Sequence, residues 1–463
     1  MAHESRYDGN HYRKQGTLLH EKERFMHLTF IRPSIYGTRA HDAMEPLAFA
    51  ILAGLTPSTI TLSLYDERVE EVPAHLDTDV VALTVETYTA RRAYQLATRF
   101  RQQGIKVIMG GYHPTFLPDE ALQFADAVVL GDAEGVWGQI LHDLPRGKLQ
   151  SRYQSAALPS LQTVRYDRRL FQGKRYQPIL PIQYGRGCKF ACDFCSIHAF
   201  YGTSLRQRPV EAVVAEIRAS GRMYVLIIDD NIFVDVPKAK ELFEALIPLK
   251  VKWGCQVSVD VARDEELVRL MGRSGCIAAL VGFESLDGDN LRQMKKGWNL
   301  KYGDYTTAIR RFQAHGIMVY GSFIFGYDHD TPETFQATLD FALQHHLFLA
   351  NFSALTPTPG AELYDRMAAE GRLLFDKWWL HPDYRYGMAT FTPARMSPQT
   401  LTEGCLQTRH VFYTLSAVAR RMRHAAIPSL AHVGLFLGAN LLTRRELKGK
   451  LGQRLGTAEW VCY

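Results

Sequence analysis

The sequence predicts an α/β protein in which a doubly wound parallel-sheet domain precedes a partial, open (β/α)6 barrel and a small helical region closes the chain. Three observations predict it. Short apolar runs alternate with amphipathic stretches from residue 26 to 145. Strands return at intervals of roughly thirty residues between 182 and 355, as βα units with full-length helices require. From about residue 386 onward the pattern is helical. At 463 residues the chain has room for two or three domains, each able to bury its own core.

Hydrophobic residues make up 46% of the chain and charged residues 22%, the balance of a soluble globular protein. The net charge of +6 comes from 54 basic and 48 acidic residues, too even for a nucleic-acid footprint without clustering, so no nucleic-acid partner is expected. Of the seven cysteines, Cys188, Cys192 and Cys195 fall in one tight motif, while Cys255, Cys276, Cys405 and Cys462 are scattered. An odd count arranged this way argues for thiols in a reducing compartment rather than for a secreted disulfide framework. Residues 1–25 read as a polar tail without the apolar run of a signal peptide, and a cytoplasmic location is expected.

In chain order, Phe25 to Ile31 is a strand, Leu47 to Leu55 a helix, and Ile60 to Tyr65 and Val80 to Val85 are strands. An amphipathic helix from Ala90 ends at Gly104, and strands follow at Lys106 to Met109 and Ala127 to Leu130. That rhythm predicts a Rossmann-like domain whose ligand loops lie at the carboxyl ends of the strands. The loops are Asp66-Glu67-Arg68, Thr84 to Tyr88 with Thr87, Gly110-Gly111-Tyr112-His113-Pro114, and Gly131-Asp132-Ala133-Glu134. Their glycines permit tight turns and close approach of backbone to a ligand. His113, beside Gly-Gly and Pro, reads as a hydrogen-bonded loop residue. Residues 146–176 read as a connection between domains.

The barrel strands are Ile182 to Tyr184, Val225 to Asp229, Trp253 to Ser258, Ala279 to Glu284, Met318 to Phe325 and Leu347 to Leu355. Six such units make three-quarters of a TIM-type barrel, with catalytic groups at the carboxyl ends of the strands. Directly behind the first strand stands Gly187-Cys188-Lys189-Phe190-Ala191-Cys192-Asp193-Phe194-Cys195. Three close thiolates can hold three irons of a [4Fe–4S] cluster and leave the fourth iron open to a small ligand. The alternative is a structural zinc knuckle, but closed zinc sites take four ligands and the nearest imidazole, His198, follows Cys195 after only two residues. The next strand ends are Asp229-Asp230-Asn231, Ser258 with Asp260 beyond it, Gly282-Phe283-Glu284-Ser285, and Gly321 to Gly326 with Ile324. Each of these alone also suits a helix N-cap or a packing glycine. After Thr356-Pro357-Thr358-Pro359-Gly360 the chain turns helical. The apolar run from Leu430 to Leu442, too short to span a bilayer, suits a core or subunit-contact helix, or an interfacial helix in peripheral contact with a membrane.

The CxxxCxxC spacing, with Phe194 just before the third cysteine, resembles the signature of the radical S-adenosylmethionine (SAM) superfamily. The pieces upstream resemble the cobalamin-binding domain found in one large branch of it, and the likeness covers nearly the whole chain. It implies a cobalamin-binding domain at 26–145, a linker at 146–176, a radical SAM barrel at 177–385 and a helical region at 386–463. It also implies that SAM chelates the open iron, with Phe194 and Ile324 along its adenine, Asp230 at its amino group and Ser258 and Glu284 near its ribose. Cobalamin would lie on the loops of Asp66, Thr84, Thr87, Tyr88, Gly110, Gly111, Gly131 and Glu134. One departure stands out: free-standing corrinoid proteins carry a cobalt-ligating histidine in an Asp-x-His-x-x-Gly loop, where this chain reads Asp66-Glu67-Arg68. A guanidinium offers a metal no lone pair.

Most members of this branch are methylases, so the resemblance implies a small-molecule substrate and methyl transfer from SAM through methylcobalamin to an unactivated carbon. A 5′-deoxyadenosyl radical from a second SAM would remove the hydrogen, and a flavodoxin or ferredoxin would supply electrons. Ring formation or contraction on a tetrapyrrole or nucleotide is the alternative. Methylthiotransferases need a second cluster, for which no second cysteine set exists, and a corrinoid carrier needs no barrel.

Overall fold

The computed structural model describes residues 26–302, 304–424 and 427–458; the tail expected at 1–25 and Cys462 lie outside them. The first sheet contains β1 (His27–Arg32), β2 (Thr61–Asp66), β3 (Val80–Thr84), β4 (Lys106–Gly110), β5 (Ala127–Leu130) and β6 (Arg152–Gln154). Its order is β2-β1-β3-β4-β5-β6 and every pair is parallel. Strands such as Val80-Val81-Ala82-Leu83 are buried on both faces, as a parallel sheet covered by helices requires. Tyr94 and Phe100 of helix Ala90–Gln102 fill one face, and Phe49 and Trp137 pack on Phe30 across the other. The sixth strand comes from the span read as a connection: only three residues long, it seats Tyr153 and has too little periodicity to announce itself.

The strand order reverses between β1 and β3, and ligands in such sheets bind at that switch point. The flanking loops are therefore those after β1 and β3. The Asp66 loop follows β2, one strand away at the sheet edge.

The second sheet begins with β7 (Ile179–Ile182); after it a two-residue antiparallel ribbon pairs β8 (Gly185–Arg186) with β9 (Arg206–Gln207). Next come β10 (Tyr224–Ile227), β11 (Lys252–Val257), β12 (Cys276–Glu284), β13 (Met318–Phe325) and β14 (Leu349–Ala354). The order β7-β10-β11-β12-β13-β14 is parallel throughout and β7 is not paired with β14, which makes an open six-stranded barrel. Alternate residues, among them Val225, Trp253, Val281 and Phe323, pack outward under the helices. The intervening set faces the lumen, a cavity of about 410 Å³ lined chiefly by apolar side chains such as Leu226, Ile228, Leu280 and Tyr320.

An open barrel leaves the carbonyls of its last strand without a neighbour, and the C-terminal helices Pro398–Phe412, Leu415–His424 and Leu430–Lys450 supply donors. Arg409 Nε donates to Phe352 O at 2.7 Å, and Tyr413 Oη bonds both Ala350 N and O. The fully buried Arg421 donates to Leu347 O, Phe348 O, Phe412 O and Asn440 Oδ1. Burial lowers its pKa to about 10, which keeps the guanidinium charged at neutral pH. In the last helix Phe436 and Asn440 are buried against the barrel, while Leu430, Leu437 and Leu441 face outward. Among the described residues no helix is long and apolar enough to cross a membrane.

Between the barrel and those helices the chain returns to the first domain, where Trp378, Trp379 and Tyr384 insert into its core, and Leu455 joins them from beyond the last helix. The first of the closing helices starts at Pro398, where Pro398 to Glu403 read as a helix start within the region from about 386, and the aromatic and turn residues before it lack a helical period. Glu120 fastens this return, accepting from Trp379 Nε1 at 2.9 Å, pairing with Lys377 at 2.9 Å and meeting His113 at 3.0 Å. Burial alone would raise its carboxyl, but His113, Lys377 and Trp379 hold it down to about 2. A value depressed from the ordinary 4.5 gives stability that is fully present above pH 4.5 and is lost as pH falls from there through about 2. Glu120→Gln should flatten that acid loss in urea melts across this window, and an unchanged acid limb would disprove the assignment.

Candidate active site between the two sheets

The carboxyl ends of the two sheets face each other. Tyr88, after β3, reaches Thr356, after β14, at 3.3 Å, and Tyr201 of the short helix behind the cysteines reaches Asp132, after β5, at 3.1 Å. Arg186 and Arg206, carried on the β8–β9 ribbon, pair across the seam: Arg186 with Asp132 at 3.1 Å and Glu134 at 2.6 Å, Arg206 with Asp132 at 2.7 Å. All four groups are buried or nearly so. Burial opposes the charge on Arg186, but Glu134 and Asp132 raise its pKa well above the ordinary value.

The cysteine loop starts directly after this pairing. Asp229 accepts from Tyr184 N and Gly185 N, both at 2.7 Å, and Asp230 accepts from Gly187 N at 2.8 Å. Gly187 has φ +97° and a Cβ there would collide with Ser204 O, so only glycine fits. Further along, Phe190 stacks on Trp298 at 3.7 Å, Asp193 takes Tyr327 Oη at 2.6 Å and Arg366 Nη2 at 3.0 Å, and Asn231 Nδ2 lies 4.0 Å from Cys188 Sγ. Sequence reasoning missed Asn231, Lys296, Trp298 and Arg366 as partners. Asn231 stands within the Asp229-Asp230-Asn231 strand end, where it was given no role of its own, whereas the others are joined to the loop only by long-range contacts.

Cys188, Cys192 and Cys195 are free and partly exposed. Burial pushes the Cys192 thiol up to about 12, against the pull of Lys296. The Cys195 thiol is also raised by burial, although the His198 and Ile197 amides at the start of helix Ser196–Tyr201 donate to it. Iron would take the place of these protons. Among the described residues no three His, Cys, Asp or Glu side chains converge on one point as a single metal ion demands. Three thiols on one pinned loop fit a cluster in which each sulfur binds a different iron.

Four of the strand-end residues expected from sequence share the lumen side of the barrel mouth. Alternation places Asp230, Ser258 and Ile324 on the same face as Leu226, Leu280 and Tyr320, and Glu284, beyond a register shift, turns its carboxylate to the side on which Gly282 would carry a Cβ. Ser258 is tied to Asn231 at 3.2 Å and donates to Asp260. Glu284 sits at a β-bulge with left-handed φ +61°, a conformation costly outside glycine, and pairs with Lys296 at 2.6 Å. Phe194 is half-buried, edge-on to Tyr327.

On the opposite sheet, Gly131 has φ +76° and open space where a Cβ would project, and Gly111, with φ +112°, lets Val85 O approach to 2.7 Å of that position. Gly110 lies beside them at the end of β4, and Thr84 Oγ1 borders Gly111. This bare backbone at the carboxyl edge fits close approach of a flat macrocycle such as a corrin. Two expectations need correction. Asp66 is fully buried and committed to Arg68 at 2.6 Å and Tyr176 at 3.1 Å, and Glu134 is committed to Arg186, so neither carboxylate is open to a ligand. Thr87 lies 3.4 Å from His113, which is fully buried between Thr87, Tyr94 and Glu120 as a hydrogen-bonded loop residue. The loop after β1, with Ile35, Tyr36 and Gly37, was not read as part of the site; its backbone meets Gly456 N at 2.8 Å, and Gly37 is crowded by Thr457.

Because Asp230 holds Gly187, Asp230→Ala should lower iron retention after anaerobic reconstitution, whereas Glu284→Ala should keep a full cluster. Equal iron in both variants, by colorimetric assay, would contradict that role for Asp230.

Comparison with known proteins agrees with this architecture. The Radical SAM superfamily profile matches residues 182–342, and that of the B12 binding domain matches 36–141. The chain is 33% identical to bacteriochlorophyllide d C-12(1)-methyltransferase of Chlorobaculum tepidum, over 82% of this chain and 84% of that protein. It is 28% identical to the C-8(2)-methyltransferase of the same organism, over 72% and 78%. The structure of the radical SAM methyltransferase TsrM from Kitasatospora setae, with cobalamin and a [4Fe–4S] cluster bound, superposes with a TM-score of 0.62 at 18% identity, covering 92% of this chain and 98% of that one. The cobalamin-dependent SAM radical enzyme OxsB gives 0.64 at 13% identity, over 92% and 72%. With a thiol loop and a glycine-lined sheet edge facing each other, the chain belongs to the cobalamin-dependent radical SAM methyltransferases, whose cofactors are a [4Fe–4S] cluster, SAM and cobalamin.

Proposed function

We propose that this methyltransferase acts on an unactivated carbon of an apolar, conjugated ring compound of the tetrapyrrole kind. The observation that carries the proposal is the chamber wall. The lumen is chiefly apolar, and at the switch point Tyr386 packs on Tyr36 and on Tyr88 with ring centroids 5.8 and 5.6 Å apart. Such walls suit a flat hydrophobic acceptor. The two relatives described above are named for bacteriochlorophyllide d, which supports the same class.

In this reading Cys188, Cys192 and Cys195 ligate the cluster. Asp230 faces the SAM ammonium, Ser258 and Glu284 the ribose, and Phe194 and Ile324 the adenine. Gly110, Gly111, Gly131 and Thr84 border the corrin. Together the bound groups supply an electron to split SAM and a carrier for its methyl group. The chain's own part is to fix two SAM-derived reactants on opposite sides of one acceptor carbon and to exclude water from it. Lys296, paired to Glu284, holds that carboxylate in its left-handed position. A flavodoxin- or ferredoxin-type donor in a reducing cytoplasm completes the proposal.

Anaerobic turnover with trideuteromethyl SAM and bacteriochlorophyllide d as acceptor tests it. The expected product is heavier by one trideuteromethyl group, with S-adenosylhomocysteine and 5′-deoxyadenosine formed together. An altered acceptor without the label would instead favour ring chemistry, and an unaltered acceptor beside steady 5′-deoxyadenosine release would contradict the acceptor class.

A further inference from the structure

A second cavity, of about 290 Å³, opens in the seam between helices Pro398–Phe412 and Leu430–Lys450, beside the free edge of β14. Leu406, Leu447 and Leu451 give it an apolar wall, and Arg409 and Arg444 line it with two guanidiniums. Each arginine is oriented by neutral oxygens. Arg409 donates to Phe352 O at 2.7 Å and Ser353 Oγ at 3.2 Å, and Arg444 donates to Tyr413 O at 2.8 Å. No acidic side chain lines the cavity, and among the described residues neither arginine pairs with a carboxylate. Glu446, the acid nearest Arg444 in sequence, is taken by Lys450 at 2.7 Å.

Several half-buried arginines elsewhere are neutralised by carboxylates, whereas buried Arg421, like this pair, is held by neutral oxygens alone. Arg68 has Asp66, Arg92 has Glu67, Arg168 has Glu45 and Glu216, and Arg372 has Asp328. Two like charges lining one half-open, partly apolar cavity repel each other, and an anion between them would relieve that repulsion. A guanidinium fork matches a carboxylate in shape as well as charge, and the leucine wall favours an acid on a hydrocarbon body over a small hydrated anion.

We infer that this cavity binds an organic carboxylate carried on an apolar body. Two sources share that chemistry. One is a separate aliphatic amphiphile. The other is the acceptor's own acid arm, since Arg409 donates to Ser353 Oγ and Ser353 lies in register beside Ile324 of the lumen face. Only this second source rests on the acceptor class proposed above.

The test is equilibrium binding to the cluster-loaded full chain. Decanoate is followed by calorimetry and protoporphyrin IX by its absorption band, each beside its methyl ester. At least one acid should bind about tenfold more tightly than its ester, and Arg444→Gln should remove about that tenfold preference while Arg444→Lys restores part of it. Arg444-dependent binding of decanoate alone identifies an amphiphile site, and Arg444-dependent binding of the porphyrin identifies the acceptor arm. If neither acid binds, if esters bind as well as acids, or if Arg444→Gln leaves the preference unchanged, the inference is overturned. The acid-against-ester comparison needs no variant, and a failure of tetrapyrrole methylation would leave these binding readouts untouched.

Discussion

The buried ion network of Arg186 and Arg206 with Asp132 and Glu134 determines how the two sheets face each other. Burying four charges is expensive in desolvation, and such networks rarely add net stability over well-packed apolar residues, whereas removing one partner costs about 3–5 kcal/mol. Their contribution here is orientation. Arg186 immediately precedes Gly187, so the contact that joins the domains also fixes where the cysteine loop begins. Asp229 and Asp230 complete the constraint by holding the backbone of residues 184, 185 and 187. The start of the cysteine loop is thus fixed by bonds that lie outside the motif itself.

A second constraint follows from leaving the barrel open. Six strands give a lumen wide enough for ligands but expose an edge, and the chain closes that edge with side chains rather than with more strands. Tyr413, Arg409, Arg421 and Asn440 take up the carbonyls from Leu347 to Phe352. The C-terminal helices therefore belong to the barrel's hydrogen bonding, while Trp378, Trp379 and Leu455 on either side of them bind the first domain. One segment of chain clamps both halves of the active site.

The parts legible in the sequence were those with local signatures. Barrel strands such as Val225 to Ile227 and Val319 to Phe325 are apolar runs whose period of two also predicts the lumen face, and the cysteine spacing carries its chemistry in nine residues. Less legible were features made by distant partners. Asp66 and Glu134 look like ligand-loop carboxylates until Arg68 and Arg186 are seen to occupy them. Nothing near Lys296 foretells Glu284, and the strand at Arg152–Gln154 exists because a sheet edge is there to receive it. The loop after β1 went unread because the match was sought after β2, whereas topology places the switch point between β1 and β3.

We propose that a cluster on one sheet and a corrin on the other share a single chamber. Electron paramagnetic resonance of anaerobic protein loaded with both groups measures this directly, with cobalt in its paramagnetic divalent state and the cluster reduced. Spins facing each other across one chamber should couple, so the cobalt signal should broaden and relax faster when the cluster is reduced, and both changes should disappear in a variant lacking the three cysteines. A cobalt spectrum indifferent to the state of the cluster, in protein shown to hold both, would contradict a shared chamber.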